Sequence, residues 1–113
     1  MTYPALAEMF FFLLVWHVIA DYPLQGDFLA KAKNPANPIL GVPWALAMGS
    51  HSLIHAGGVT VITGSLVLGI AEFICHFQID YAKCRGWLSF GQDQFLHFLC
   101  KIMWVYPAYY HMA

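Results

Sequence analysis

The sequence predicts an all-α protein, an integral membrane bundle of four helices running up-down-up-down, and three observations carry that expectation. First, 60% of the 113 residues are hydrophobic and 17% aromatic, only 10% are charged, and the mean hydropathy is +0.61. An ordinary soluble domain is about 25% charged, and a water-soluble fold this short would have too little polar surface to cover itself. Second, Asn34 to Ala71 is a run of 38 residues without a formal charge, well beyond the roughly 20 that one span requires. Third, proline and glycine interrupt the apolar sequence at intervals that suit helices. The same composition, with five Lys+Arg against six Asp+Glu, excludes disorder, a solenoid array and a basic nucleic-acid-binding domain.

The elements follow in order within one domain, residues 1–113. The first helix is expected over about 5–22, because Pro23 biases Tyr22 out of helical geometry; Glu8 reads as a charge at its N-terminal end. No positive n-region or small-residue cleavage signal flanks this segment, so it is expected to stay in the mature protein. Gly26 to Lys33 then reads as a short interfacial turn of helix, with Asp27 and Lys31 four apart. The Asn34-Pro35-Ala36-Asn37-Pro38 segment breaks the chain, and Pro43 suits the start of a second helix over 43–62. A break near Thr63 opens a third over 65–85, and Gly86 and Gly91 bracket the turn into a fourth over 92–110. Phe10-Phe11-Phe12 and Trp104 to Tyr110 read as lipid-facing anchors, and His111 as a tail residue. Cys75, Cys84 and Cys100 are odd in number and form no CxxC pair, so reduced thiols are expected. Lys31, Lys33, Lys83 and Arg85 fall on one side of the bundle. The positive-inside rule makes that side cytoplasmic and leaves both termini outside.

Six histidines and four aspartates are scattered through this apolar chain, and eight of the ten form pairs spaced by four: His17/Asp21, His51/His55, His76/Asp80 and Asp93/His97. Random placement would give roughly one such pair against a helical template. Residues four apart share a helical face. The pairs end the first helix, open the second, end the third and open the fourth, so an up-down-up-down bundle gathers all eight at one depth, near the cytoplasmic interface. Glu72 lies a turn above on the third helix, Lys83 below it, and Cys100 extends the fourth. His17-Val-Ile-Ala-Asp21-Tyr22 repeats as His76-Phe-Gln-Ile-Asp80-Tyr81, which suggests two hairpins about an axis along the membrane normal. Five histidines and three aspartates suffice for a dinuclear centre of the kind that helical bundles hold. The plain alternative is interhelical hydrogen bonding worth about 0.6 kcal/mol per contact. Against it stands the cost of ionisable groups in lipid, about 2.5 to 3.5 kcal/mol each, when Ser or Asn would serve as well.

Taken in order, HxxxDYxLQ at His17 to Gln25, HxxxH at His51, HxxxDxxK at His76 to Lys83 and DQxxH at Asp93 to His97 resemble a family of small bacterial and phage membrane proteins, the domain of unknown function 3307. The resemblance covers nearly the whole chain and implies a compact multi-span protein of the bacterial inner membrane with a polar cluster. A more distant likeness, in motif style alone, is to predicted membrane-bound metal-dependent hydrolases.

The functional expectation is a membrane-embedded metalloenzyme, a hydrolase acting on a phosphate-bearing lipid or amphiphile at the cytoplasmic leaflet. One or two divalent ions, zinc, manganese or iron, would be held by His17, Asp21, His51, His55, His76, Asp80, Asp93 and His97. Gln25, Glu72, Tyr22, Tyr81 and Gln94 would support those ligands. Asp21 or Asp80 would act as general base, and Lys83 with Arg85 would hold developing negative charge. A di-iron oxidative enzyme fits the same ligands. The alternative class is non-enzymatic: a metal or proton transporter, or a phage or bacterial factor that binds a host membrane partner and uses the cluster structurally. A homo-oligomer is open under either reading, and no nucleic-acid partner is expected.

Overall fold

Five helices make up most of residues 3–111, the part of the chain that the computed structural model describes. The helix α1 runs Tyr3–Asp21, α2 Gly26–Ala32, α3 Trp44–Thr63, α4 Leu66–Cys84 and α5 Phe90–Tyr109. The four long helices stand where four were expected, and α2 is the short turn read between the first two. Local chemistry sets the ends. α1 stops two residues before Pro23, and α3 begins directly after Pro43. Gly64, at φ 72°, takes the left-handed conformation that closes α3, its N–H donating to the Thr60 carbonyl at 2.8 Å. Ser65 then caps α4, its hydroxyl accepting from the Leu68 N–H at 3.2 Å. At Ser89 a capping box forms: the hydroxyl accepts from the Gln92 N–H at 3.1 Å while the Gln92 side chain accepts from the Ser89 N–H at 2.9 Å. For this reason α5 starts at Phe90, two residues earlier than expected.

The long helices pack as a ring, α1 on α3, α3 on α4, α4 on α5 and α5 back on α1, with α3 also touching α5 across the centre and α2 lying on α3. Sequential neighbours run antiparallel. Glycine allows the closest approaches: a Cβ on Gly69 would lie 1.8 Å from Thr60 Oγ1 and 3.0 Å from the Ala56 carbonyl, so α3 and α4 need that position bare. A Cβ on Gly58 would lie 2.0 Å from Trp16 Nε1, because the indole lies over that glycine and donates to the Ile54 carbonyl at 3.2 Å. The resulting molecule measures 50 × 24 × 22 Å.

Each long helix buries one stripe, and each stripe changes character midway. Met9 and Leu13 give way to His17 on α1, Val59 to His55 and His51 on α3, Leu68 to Glu72, His76 and Asp80 on α4, and Trp104 and Val105 to Lys101, His97 and Asp93 on α5. One half of the axis is therefore an apolar cluster of Met9, Leu13, Val59, Leu68, Trp104, Val105 and Ala108, and the other half is polar. The outer faces are apolar instead, with Phe11, Phe12, Leu53, Ile70, Phe95 and Ile102 exposed. By length and apolar composition alone, Trp44–Thr63 is the one helix among the described residues that qualifies as a span by itself; Ala5–Asp21 qualifies together with Gly26–Ala32 across an 83° bend. The four-span expectation meets this result because α4 carries Glu72, Asp80 and Lys83, and α5 carries Asp93 and Lys101, within their length.

Candidate metal centre

The C-terminal half of α1, the N-terminal halves of α3 and α5 and the C-terminal half of α4 meet at one depth, and their buried stripes bring five imidazoles together. His55 stacks on His76 with ring centroids 3.8 Å apart, and His76 on His97 at 4.2 Å. His51 meets both His55 and His76 edge-on, at 4.8 and 5.1 Å. His17 tilts against His55 and His97 at 5.3 and 5.4 Å. All five rings are buried.

Asp21 is the anionic hub. Its Oδ1 lies 3.1 Å from His51 Nε2 and 2.9 Å from His55 Nε2, and its Oδ2 is 3.2 Å from His17 Nε2. Gln94 fixes the far side: its Nε2 donates to Asp21 Oδ2 at 3.2 Å and to Asp93 Oδ2 at 3.0 Å, which leaves Oε1 to accept from His17 Nε2 at 3.1 Å. Two groups bring donor atoms within 4.8 Å of one another: Asp21, His51, His55 and His76, and Glu72, His76 and His97. Around an ion with ligand distances of about 2.0–2.1 Å, tetrahedral donors sit roughly 3.3 Å apart. The Asp21 Oδ1 distances to His51 Nε2 and His55 Nε2, 3.1 and 2.9 Å, are already near that value. Each ring also keeps one buried nitrogen without a hydrogen-bond partner among the described residues: Nδ1 of His17, His51, His55 and His97, and Nε2 of His76. Of these rings, His76 belongs with Asp21, His51 and His55 in one group of coordinating range, and its unpartnered nitrogen suits a cation.

Two further ionic contacts were not read from the sequence. Lys101, fully buried, makes a short contact to Glu72 Oε1, which also accepts from Trp104 Nε1 at 3.1 Å. Lys33, buried at the end of α2, donates to Asp80 Oδ2 at 2.6 Å. Lys101 joins the expected Cys100 on the buried face of α5, and its signal was the four-residue step from His97.

A matching family model accounts for nearly all of this chain: the one described as "Protein of unknown function (DUF3307)" aligns with residues 9–112. The chain belongs to that family. No curated protein and no solved structure matches the sequence. Every residue of the centre lies inside the segment matched to DUF3307.

Within this DUF3307 chain the expected ligands separate. Asp21, His51, His55, His76 and His97 fall into the two groups of coordinating range, joined by Glu72, which was expected only to support. His17, Asp80 and Asp93 lie in the cluster but outside both groups. His17 holds Asp21, Asp80 is paired with Lys33 and stands 3.9 Å from His51 Nε2, and Asp93 lies 3.4 Å from His97 Nε2. Of the residues expected to support, Gln94 joins Asp21 to Asp93 and His17. Gln25 instead donates to the backbone carbonyl of Asp21 at 3.0 Å. Tyr22 is exposed, and Tyr81 packs against Trp44 and Trp87 with Arg85 over its ring. Lys83 sits over Phe90 and lines a cavity of about 90 Å³ together with Asp21, Lys33, Asp80, Asp93 and Gln94. Arg85 is exposed and does not line that cavity.

Proposed function

We propose that this protein is a membrane-embedded metal-binding bundle that hydrolyses a phosphate-bearing lipid or amphiphile at the cytoplasmic leaflet. The observation that carries the reading is the convergence of Asp21, His51, His55 and His76, with donor atoms within 4.8 Å of one another in the interior of the bundle. Bilayer embedding is supported by the inverted distribution of side chains, ionisable groups inward and large apolar groups outward. A hydropathy sum counts inward-facing His and Asp against a span although lipid never meets them, so α4 and α5 can be spans that fail a composition test. Exposed Lys31 and Arg85 and half-buried Lys83 mark the end of the bundle that faces the cytoplasm.

Asp21, His51, His55 and His76 would hold the ion, which would supply Lewis acidity toward a phosphoryl oxygen and the attacking water. The chain's own groups do the rest. Lys33 and Lys83 on the cavity wall attract the phosphoryl group, and Asp80 and Asp93 on the same wall accept the proton of the attacking water. Asp21 is already engaged on both oxygens by three imidazoles and an amide, which leaves it no oxygen free to act as the base. Passage of ions through the bundle is disfavoured by the plug of Met9, Leu13, Val59, Leu68 and Trp104 beyond Glu72 and Lys101. The test is phosphate release from vesicles containing phosphatidic acid, by full-length protein loaded with Zn²⁺ or Mn²⁺. Metal-dependent release that Asp21→Asn abolishes is the expected result. Stoichiometric metal with no release would remove the hydrolase and leave a metal-binding protein.

A further inference from the structure

The imidazoles of the centre are not equivalent. His51 and His55 direct Nε2 at Asp21, and neither Nδ1 has a hydrogen-bond partner among the described residues. His76 is the reverse: its Nδ1 lies 3.3 Å from Glu72 Oε2, and its Nε2 is buried and unpartnered. Glu72 is itself fixed, since both Lys101 and Trp104 donate to its Oε1, and all three side chains are buried.

Charge and hydrogen-bond capacity settle what Glu72 does. Lys101 and Trp104 both donate to its Oε1, so Glu72 stands in this layer as an acceptor. The 3.3 Å contact is therefore a hydrogen bond in which His76 Nδ1 carries the proton and donates it. A second proton on Nε2 would have no acceptor among the described residues, which leaves that nitrogen with its lone pair. That nitrogen is the one left to join Asp21, His51 and His55. Histidines that bind metals commonly donate their other ring N–H to a carboxylate, which sets tautomer and orientation. With Oε1 taken by Lys101 and Trp104 and Oε2 by His76, Glu72 is engaged on both oxygens.

We propose that Glu72 is a positioning residue rather than a ligand: clamped by Lys101 and Trp104, it holds His76 as the Nδ1–H tautomer and presents His76 Nε2 to the ion at Asp21, His51 and His55. The inference rests on the metal-binding reading above. It assigns the Glu72–Lys101 pair a purpose that interhelical adhesion would not require.

The experiment uses full-length protein in detergent with ¹⁵N-labelled histidine, the His76 signals being assigned by their loss in His76→Gln, and Zn²⁺ affinity measured by chelator competition. In metal-free wild type His76 should be the Nδ1–H tautomer; an Nε2–H tautomer there overturns the proposal without recourse to any variant. The double variant Glu72→Gln/Lys101→Met removes both charges, so neither is left unpaired. Its glutamine oxygen still accepts from Trp104, which turns the amide NH₂ toward His76 Nδ1. The proton should then move to Nε2, and Zn²⁺ affinity should fall 10- to 100-fold, as for other losses of a group supporting a ligand. A double variant that keeps the wild-type tautomer and affinity shows a merely structural pair and overturns the inference while the metal site stands. Wild type that takes up no Zn²⁺ overturns the metal centre itself, and the His76 tautomer still reports whether Glu72 positions the ring.

Discussion

The two halves of the bundle use the same four helices to opposite ends. Around Leu13, Val59, Leu68 and Trp104 the stripes meet as hydrocarbon, and what holds them is volume. Around His17, His55, His76 and His97 the same stripes, one or two turns along, meet as imidazole and carboxylate, and what holds them is hydrogen bonding. Glu72, Lys101 and Trp104 form the boundary, with an indole that faces the apolar cluster and donates its N–H to the polar one. An apolar half tolerates exchange of one hydrocarbon for another of similar volume, whereas removing one partner from a buried polar network strands the other. The halves should therefore respond differently to substitution.

The largest loss of stability is expected at the boundary. Lys101→Met leaves Glu72 buried and unpaired and should cost about 3–5 kcal/mol, read by unfolding in detergent; a cost below about 1 kcal/mol would mean that the pair does not hold this layer. In the apolar half, Leu13→Ala opens a cavity at a fully buried site and should cost about 3 kcal/mol. Metal affinity should be unaltered, and a parallel loss of metal would show that the halves are one unit. A smaller cost, about 1–3 kcal/mol, is expected for Gly58→Ala, because the new methyl displaces Trp16 from its place over α3. Wild-type stability there would mean that the indole moves freely. Smallest of all, exposed Glu8→Gln should change neither stability, beyond about 0.5 kcal/mol, nor metal content.

Much of this was legible because the signals are local or periodic. Pro23, Pro43 and Thr63-Gly64-Ser65 mark helix ends by backbone chemistry, and the four pairs mark a common face by spacing. What escaped depends on how helices cross. Residues three and four ahead of His97 share its face, and packing against α4 turns Lys101, not Cys100, toward Glu72. Lys33 gave no periodic signal, since it ends a seven-residue helix whose fold-back onto α3 alone brings it to Asp80. The grading among the eight paired residues was equally hidden: spacing treats Asp21 and Asp80 as equals, but tertiary contacts surround one with imidazoles and the other with an ammonium group.

That last difference supplies the most direct measurement, metal bound per chain by elemental analysis of the detergent-purified protein, in wild type, Asp21→Asn and Asp80→Asn. Wild type should retain at least one divalent ion per chain through chelator-free dialysis, and Asp21→Asn should lose it, because the amide keeps the side chain's volume but not the charge at the hub. Asp80→Asn, which removes the partner of Lys33 and no member of the Asp21 group, should retain most of it. Wild-type protein that folds and holds no ion, or an Asp21→Asn protein as fully loaded as wild type, would contradict the account.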